Sequence, residues 1–105
     1  MSRSNLTFPT ALVLQAMANG STYGFDIMDA TGLPSGTVYP LLRRLEGMGC
    51  VESRWESETK AAREGRPARK YYRVTSEGED LLERARSRFA ALRRGRSKSD
   101  EAPAW

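Results

Sequence analysis

Apolar residues return with the 3.6-residue period of an α-helix over residues 7–19. Pro9 fits the first turn of this helix, because a backbone N–H in the first turn has no acceptor within the helix in any case. The Asn–Gly pair at residues 19–20 ends the pattern. The apolar positions of the segment are Phe8, Leu12, Val13, Ala16 and Met17. The pattern therefore predicts a first helix with one apolar face.

A second, shorter helix is predicted between a cap at Ser21 or Thr22 and a stop at Gly32. Its apolar residues are Tyr23, Phe25, Ile27 and Met28. The short connection of residues 33–36 separates it from the next helical pattern. Two helices joined by so short a turn form a helix-turn-helix pair.

The third helical pattern contains a proline, Pro40, which bears on where this helix begins. A proline inside a helix costs roughly 3 kcal/mol, whereas in the first turn the penalty largely disappears. We therefore expect the helix to begin close to Pro40, with Ser35 or Thr37 as its N-cap. Gly49 ends the pattern. The apolar stripe consists of Val38, Leu41, Leu42, Leu45 and Met48.

After Gly49 the period changes to the two-residue alternation of a β-strand. In that alternation Val51, Ser53 and Trp55 take turns with Glu52, Arg54 and Glu56. Residues 69–75 are rich in β-formers and are the predicted partner strand, while the polar and basic residues 57–68 form a long loop with a tip at residues 65–67. Three helices, a strand, a basic loop and a strand are the order of a winged helix.

A last helix follows the second strand, capped by Thr75 or Ser76 and acidic in its first turn, as the helix dipole favours. Its apolar stripe is Leu81, Leu82, Ala85, Phe89 and Leu92. The predicted fold class is mainly α with a small β-hairpin. We expect a winged helix-turn-helix DNA-binding domain over residues 1–75, a C-terminal dimerisation helix over residues 76–94 and a disordered polar tail over residues 95–105.

The basic residues are clustered along the chain. There are 17 Lys and Arg against 13 Asp and Glu, a net charge of +4, and no basic residue lies between Ser4 and Leu42. One cluster comprises Lys60, Arg63, Arg66, Arg69, Lys70 and Arg73, and a second comprises Arg84, Arg86, Arg88, Arg93, Arg94, Arg96 and Lys98. Such clusters indicate an anionic partner such as nucleic acid, the alternative being a solvated surface.

Several functional classes lack the residues that they need. No apolar segment approaches the roughly 18 residues of a membrane span and no signal peptide is visible, so we expect a cytoplasmic protein that does not contact membranes. The chain has no His and a single cysteine, Cys50, which leaves no metal site and no set of acid, base and nucleophile for an enzyme. No cofactor is predicted, and Cys50 is interpreted as a small buried hydrophobe rather than a redox sensor.

In a helix-turn-helix the second helix enters the major groove, with its N-terminal residues at the base edges. The side of the third helix opposite its apolar stripe bears small, hydroxyl and basic side chains, which suits close approach to bases and phosphates. The predicted DNA-binding residues of this helix are Ser35, Thr37, Tyr39, Pro40, Arg43 and Arg44. The alternative is that Tyr39 packs against the wing and that both arginines are merely solvated.

The basic loop with its Gly-Arg-Pro tip is the predicted wing. It would place Arg66 or Arg69 in the minor groove beside the recognition helix, where the negative potential attracts arginine. The predicted DNA-binding residues of the wing are Arg66, Pro67, Arg69 and Lys70. The alternative is a charged surface loop that serves only solubility.

The apolar stripe of the last helix suggests a homodimer, in which this helix and the first helix pack against their symmetry mates. The predicted interface residues are Phe8, Leu12, Leu81, Leu82, Phe89 and Leu92. The alternative is that the stripe folds back onto its own subunit. Phe8 and Trp105 are candidates for lining a pocket that takes a small aromatic or hydrophobic effector.

Three segments, YGFDIMDATG, GTVYPLLRRLEGMGCVESRW and GRPARKYYRVTSEG, resemble in the same order the signature blocks of the PadR family of bacterial transcriptional regulators. The resemblance covers residues 7–92 and implies a winged helix-turn-helix with a single dimerising C-terminal helix, usually a repressor released by a small ligand. The family motif falls on Thr37, Tyr39, Pro40, Gly65, Arg66, Pro67, Lys70, Tyr71 and Tyr72.

These expectations combine into one predicted function. The protein is expected to bind double-stranded DNA as a homodimer and to repress transcription from a palindromic operator, with one half-site per subunit. The alternative from another class is a protein-interaction or adaptor module that keeps the winged-helix fold without recognising DNA.

Overall fold

Five helices and two strands follow one another in the computed structural model, which describes residues 6–90 and residue 92. They are α1 (Phe8–Ala18), α2 (Gly24–Thr31), α3 (Ser35–Gly47), β1 (Val51–Trp55), α4 (Glu58–Arg63), β2 (Lys70–Val74) and α5 (Ser76–Arg88). The predicted fold class, mainly α with a small antiparallel hairpin, is confirmed. The tail predicted to be disordered, residues 95–105, lies outside the described residues.

The helical stripes predicted from the sequence contribute to a main core and to a second, smaller cluster of Ala11, Ala85 and Leu92. Four residues of the predicted α3 stripe, Val38, Leu41, Leu42 and Leu45, are buried together with side chains of α1, α2 and the hairpin, whereas Met48, the fifth, is exposed. Burial of each large aliphatic side chain stabilises the fold by roughly 1.5–3 kcal/mol. The largest fully buried aliphatic residues are Val13, Leu14, Ile27, Val38, Leu42, Leu45 and Val51. Because this core covers the inner side of α3, its opposite side is left exposed to solvent.

Helix α2 begins later than predicted, because the residues before it pair with the hairpin. Its N-cap is Tyr23, so the prediction of a cap at Ser21 or Thr22 is wrong. The N–H of Tyr72 donates to the carbonyl of Thr22 at 2.7 Å, and Tyr23 forms a β-bridge with Tyr71. This pairing holds the chain extended where the hydroxyl side chains alone favour a helix cap.

Helix α3 begins at Ser35 with Pro34 as its N-cap, so the predicted start close to Pro40 and the predicted N-cap at Ser35 or Thr37 are wrong. The N–H groups of Thr37 and Val38 both donate to the carbonyl of Pro34, at 2.9 and 3.0 Å, which establishes the first turn well before Pro40. Pro40 therefore lies inside the helix and leaves the carbonyl of Gly36 without its helical donor. Gly36 is exposed, so water can supply the missing hydrogen bond.

The hairpin pairs Val51 with Val74 at its base and Trp55 with Lys70 at its far end. The connecting segment contains α4, which the sequence analysis treated as loop. Ser57 caps this helix by accepting from the N–H of Lys60 at 3.1 Å, and Ala61 is its buried side chain. A helix of this length covers too few turns to give a recognisable apolar period.

Helix α5 is anchored to the turn between α3 and β1. The Thr75 hydroxyl donates to the carbonyl of Gly49 at 2.6 Å and accepts from the N–H of Gly78 at 3.1 Å, which confirms Thr75 as the cap. Helical geometry is interrupted at Phe89, which is extended with φ −116° and ψ 98°, and Ala90 is helical again. The helical pattern predicted over residues 76–94 is therefore not one continuous helix. Among the described residues, no helix has the length and hydropathy needed to cross a bilayer.

Candidate nucleic-acid interface

The exposed side of α3 is the first part of the candidate interface. Tyr39 is 41% exposed, and Pro40, Arg43 and Arg44 are also exposed. Ser35 lies exposed at the first turn, whereas the neighbouring Thr37 is half-buried. The predicted recognition residues thus share the tip and outer side of one helix, with two arginines further along it.

Tyr39 packs on α2, which differs from the alternative that placed it against the wing. A Cβ on Gly24, the first residue of α2, would collide with the ring and hydroxyl of Tyr39. The absence of a side chain at Gly24 therefore lets the tyrosine lie across the start of α2. This contact fixes the direction of the ring while leaving part of it exposed beside Arg43.

Arg66 does not point outward from the wing tip as predicted. Its guanidinium binds both carboxylate oxygens of Glu56, at 2.7 and 2.9 Å, and also Glu64 at 3.0 Å. The Arg66 side chain is 19% exposed and that of Glu56 only 3%. A two-pronged pair with a buried carboxylate is a strong and directional interaction, so Arg66 holds the connecting segment against the far end of the hairpin instead of extending into a groove.

The Glu56 carboxylate is the acceptor shared by several hydrogen bonds of the wing, a role that the sequence pattern did not predict. Besides Arg66, its carboxylate accepts from the backbone N–H of Arg69 at 3.2 Å and from the hydroxyl of Tyr71 at 3.5 Å. Hydrogen bonds from Arg66 lower the pKa of Glu56 to about 2, against the opposing effect of burial. The alternation along β1 placed Glu56 on a polar face, but it did not predict that the carboxylate accepts hydrogen bonds from residues on the other side of the hairpin.

The Arg69 side chain ties the wing to the start of α2. Its guanidinium lies 4.2 Å from the centroid of the Tyr23 ring, and the Tyr23 and Tyr71 rings meet edge to face at 5.7 Å. A cation stacked on a ring is held in place by the electrostatic attraction of the ring face. Of the predicted wing residues, Pro67 is exposed and Lys70 is half-buried.

The predicted dimer residues divide into two groups. Leu81, Leu82 and Leu92 are buried within the single chain, at 5%, 3% and 2% exposure, so the structure leaves them no surface for a partner. This corrects the expectation for these three side chains, which cover α1 and the core instead. Phe8 is 39% exposed, and it meets the half-buried Phe89 edge to face at 5.3 Å. Leu12, also half-buried, packs beside them.

Cys50 is buried at the start of β1, and burial raises the pKa of its thiol. A thiol that stays protonated is a poor nucleophile, which agrees with its interpretation as a small hydrophobe. Trp105, the other candidate for an effector pocket, lies outside the described residues.

The fold and these surfaces together define a class of protein. A helix-turn-helix pair is followed by a hairpin wing, and the outer side of the second helix of the pair carries exposed Tyr39, Arg43 and Arg44. This is the arrangement of a winged helix-turn-helix DNA-binding protein.

The family model described as "Transcriptional regulator PadR-like family" matches residues 13–84. The chain therefore belongs to the PadR-like family of DNA-binding transcriptional regulators. The match extends from α1 into α5 and includes both parts of the candidate interface, α3 and the hairpin wing.

Solved structures agree with this assignment. The chain is similar to a PadR family transcription regulator from Clostridium difficile, with 25% identity, a TM-score of 0.68 and coverage of 84% of this chain and 93% of that one. A PadR family transcriptional regulator from Eggerthella lenta has 28% identity and a TM-score of 0.61, with coverage of 81% and 75%. Bordetella bronchiseptica BpsR, whose DNA binding is regulated by 6-hydroxynicotinic acid, shares the fold at 18% identity and a TM-score of 0.69, with coverage of 90% and 67%. The comparison with curated protein sequences gives no significant match.

The Glu56 network predicts a dependence of stability on pH. Because the pKa of Glu56 is lowered from 4.5 to about 2 on folding, its contribution is fully present above pH 4.5 and is lost as the pH falls through about 2. Glu56→Gln should therefore destabilise the protein at neutral pH, and the difference from the wild type should shrink steadily in urea titrations between pH 5 and pH 2.

Glu64→Gln is the matched control for this prediction, because Glu64 also binds Arg66 but its side chain is 51% exposed. It should cost less stability than Glu56→Gln at neutral pH. A difference between wild type and Glu56→Gln that does not change with pH would show that the carboxylate charge does not hold the wing.

Proposed function

We propose that this PadR-like protein is a transcriptional repressor that binds a palindromic operator as a homodimer. The observation that carries the proposal is the outer side of α3, where Tyr39, Arg43 and Arg44 are exposed above a fully buried apolar stripe. Buried residues on the inner side fix the helix, and the outer side offers a hydroxyl and two guanidinium groups to bases and phosphates. The start of α3 is the end directed at the base edges in this class of protein.

The homodimer is supported by an apolar patch that the single chain leaves partly uncovered. We define this patch as Phe8, Leu12 and Phe89, on α1 and just after α5. A second copy that covers the patch would bring two α3 helices to successive half-sites, about one helical turn or a multiple of it apart. Two-fold symmetry of the protein then requires a palindromic operator.

Release by a small effector is the second part of the proposal. BpsR shares the fold, and its DNA binding is regulated by 6-hydroxynicotinic acid, a small aromatic molecule. In the present chain the Phe8–Phe89 ring pair, with a centroid separation of 5.3 Å, offers aromatic surface at the same place as the proposed dimer contact. An effector of aromatic or hydrophobic character that binds there would alter the spacing of the two recognition helices.

The test of the proposal is selection of duplexes from a random pool by the purified protein at near-physiological salt. Enrichment of a two-fold symmetric sequence is the expected outcome. Binding without enrichment would contradict sequence-specific recognition, and no saturable binding would favour the adaptor function. Repression is then tested by placing the selected sequence over a reporter promoter, where activation would overturn the proposed sign of regulation.

The role of α3 in this binding is tested by Arg43→Gln on the selected duplex. Loss of one phosphate contact in each of the two subunits should reduce the slope of log K against log salt concentration by about 0.9 per subunit, or about 1.8 for the dimer. Arg84→Gln is the matched control, because Arg84 is an exposed arginine on α5, away from the candidate interface. If both variants change the slope equally, the contact is not specific to α3.

A further inference from the structure

The two faces of the hairpin have different surroundings. Residues directly opposite each other on paired strands point to the same face, so Ser53 and Tyr72 share one face. The Ser53 hydroxyl donates to a carboxylate oxygen of Glu46 on α3 at 2.7 Å. The pKa of Tyr72 is raised mainly by burial, with Glu46, Tyr39 and Arg43 of α3 acting on the same hydroxyl. This face of the hairpin therefore looks onto α3.

The same face continues beyond the core to Trp55 and Lys70, which pair at the far end of the strands. Trp55 is 63% exposed, although tryptophan carries more apolar surface than any other residue. The ammonium group of Lys70 lies 5.8 Å from the ring centroids of both Trp55 and Tyr72. An exposed aromatic ring with a cation beside it thus extends the surface that begins at Arg43 on α3.

The opposite face of the hairpin is occupied by contacts within the protein. There the guanidinium of Arg66 is bound to Glu56 and that of Arg69 is stacked on Tyr23. The two arginines predicted to enter a groove are thus engaged on the far side of the wing. A ligand that contacts α3 and the wing together meets the face that carries Trp55 and Lys70.

We propose that Trp55 and Lys70 are the DNA contacts of the wing, an inference that rests on the proposed DNA-binding function. Lys70 neutralises a phosphate, and the Trp55 ring packs against deoxyribose and base edges of the minor groove next to the segment bound by α3. Duplex DNA is the occupant that matches this surface, because Lys70 places a positive charge beside the Trp55 ring and Arg43 places another near the neighbouring Tyr72 hydroxyl. Aromatic and apolar side chains contact nucleic acid in this way through surface that is indifferent to base hydrogen bonding.

The first experiment measures the affinity of variants for the duplex enriched in the selection. Trp55→Ala should weaken binding by roughly tenfold without changing the salt slope, because the contact is apolar, while Trp55→Phe should retain most of the affinity. Lys70→Gln should reduce the salt slope by about 0.9 per subunit, or about 1.8 for the dimer. Arg54→Gln is the matched control, since Arg54 neighbours Trp55 on β1 but points to the opposite face, and its slope should stay close to that of the wild type.

The second experiment monitors the Trp55 ring itself in full-length Trp105→Phe protein, which retains Trp55 as its sole tryptophan. Addition of the duplex should change the emission of Trp55 and protect it from quenching by iodide. If the wild type binds the duplex while Trp55 stays fully accessible and Trp55→Ala binds normally, the inference is overturned and the proposed function stands. Protection that depends on protein concentration without DNA would assign the ring to contact between copies. Failure of the wild type to bind any duplex would overturn both proposals.

Discussion

Leu82→Ala is expected to lower the free energy of unfolding by about 2–5 kcal/mol, because a leucine that is 3% exposed loses its buried methyl groups and leaves a cavity. The sequence pattern assigned Leu82 to a dimer interface, whereas the structure places it in the core that joins α5 to α1 and α3. The loss should therefore appear in urea unfolding at every protein concentration. Sedimentation of the folded variant should match that of the wild type.

Phe89→Ala is the matched comparison, since Phe89 belongs to the partly uncovered apolar patch and lies on the same predicted stripe. It should shift sedimentation toward the monomer. The opposite results would be a Leu82 variant that dissociates and a Phe89 variant that only unfolds more easily. They would show that the α5 stripe, and not the Phe89 patch, forms the dimer interface.

Gly78→Ala is expected to destabilise the protein by about 1–3 kcal/mol, although alanine is normally the better helix former. An added Cβ would collide with the carbonyl oxygen of Cys50 and would lie 2.7 Å from Val74 Cγ1. The carbonyl of Cys50 already accepts from the N–H of Thr75 at 3.0 Å, so the backbone cannot move aside without losing that bond. The helix would have to move off the α3–β1 turn.

Gly47→Ala separates this collision from helix propensity. Gly47 ends α3, and apart from its chain neighbours and the backbone of its own helix, no atom of the described residues lies within 4 Å of the Cβ that alanine would add. This variant should be neutral or more stable by about 0.5–1 kcal/mol. Thermal unfolding of both variants decides the matter: equal or higher stability of Gly78→Ala would mean that α5 does not approach the turn as closely as described.

Local pattern was enough to predict the order of the main helices and strands. The α3 stripe from Val38 to Leu45 is a repeated signal over several turns, and every member of it is buried. The β1 alternation likewise predicts which residues share a face. The position of Pro40 led to a wrong prediction of where α3 begins. The free-energy cost of a proline inside the helix is compensated by the helical turns that form on either side of it.

The direction of a charged side chain could not be predicted in this way. A Gly-Arg-Pro tip suggests an outward arginine, but the partner of Arg66 is Glu56, ten residues earlier and just after the end of β1. Only the register of the hairpin and the turn of α4 bring the two together. The partner of an apolar stripe is equally hard to predict. The sequence pattern of Leu81 and Leu82 is the same whether these side chains pack against their own chain or against a second copy.

The hydrogen bond between Thr22 and Tyr72, together with the stack of Arg69 on Tyr23, links the wing to the helix-turn-helix. These contacts limit how much the distance between α3 and the tip of the hairpin can change. A duplex that touches both must bring two neighbouring grooves to that spacing, and the elastic work of bending or narrowing falls on the DNA. In the proposed complex, base steps that no side chain touches would contribute to the choice of operator through their stiffness.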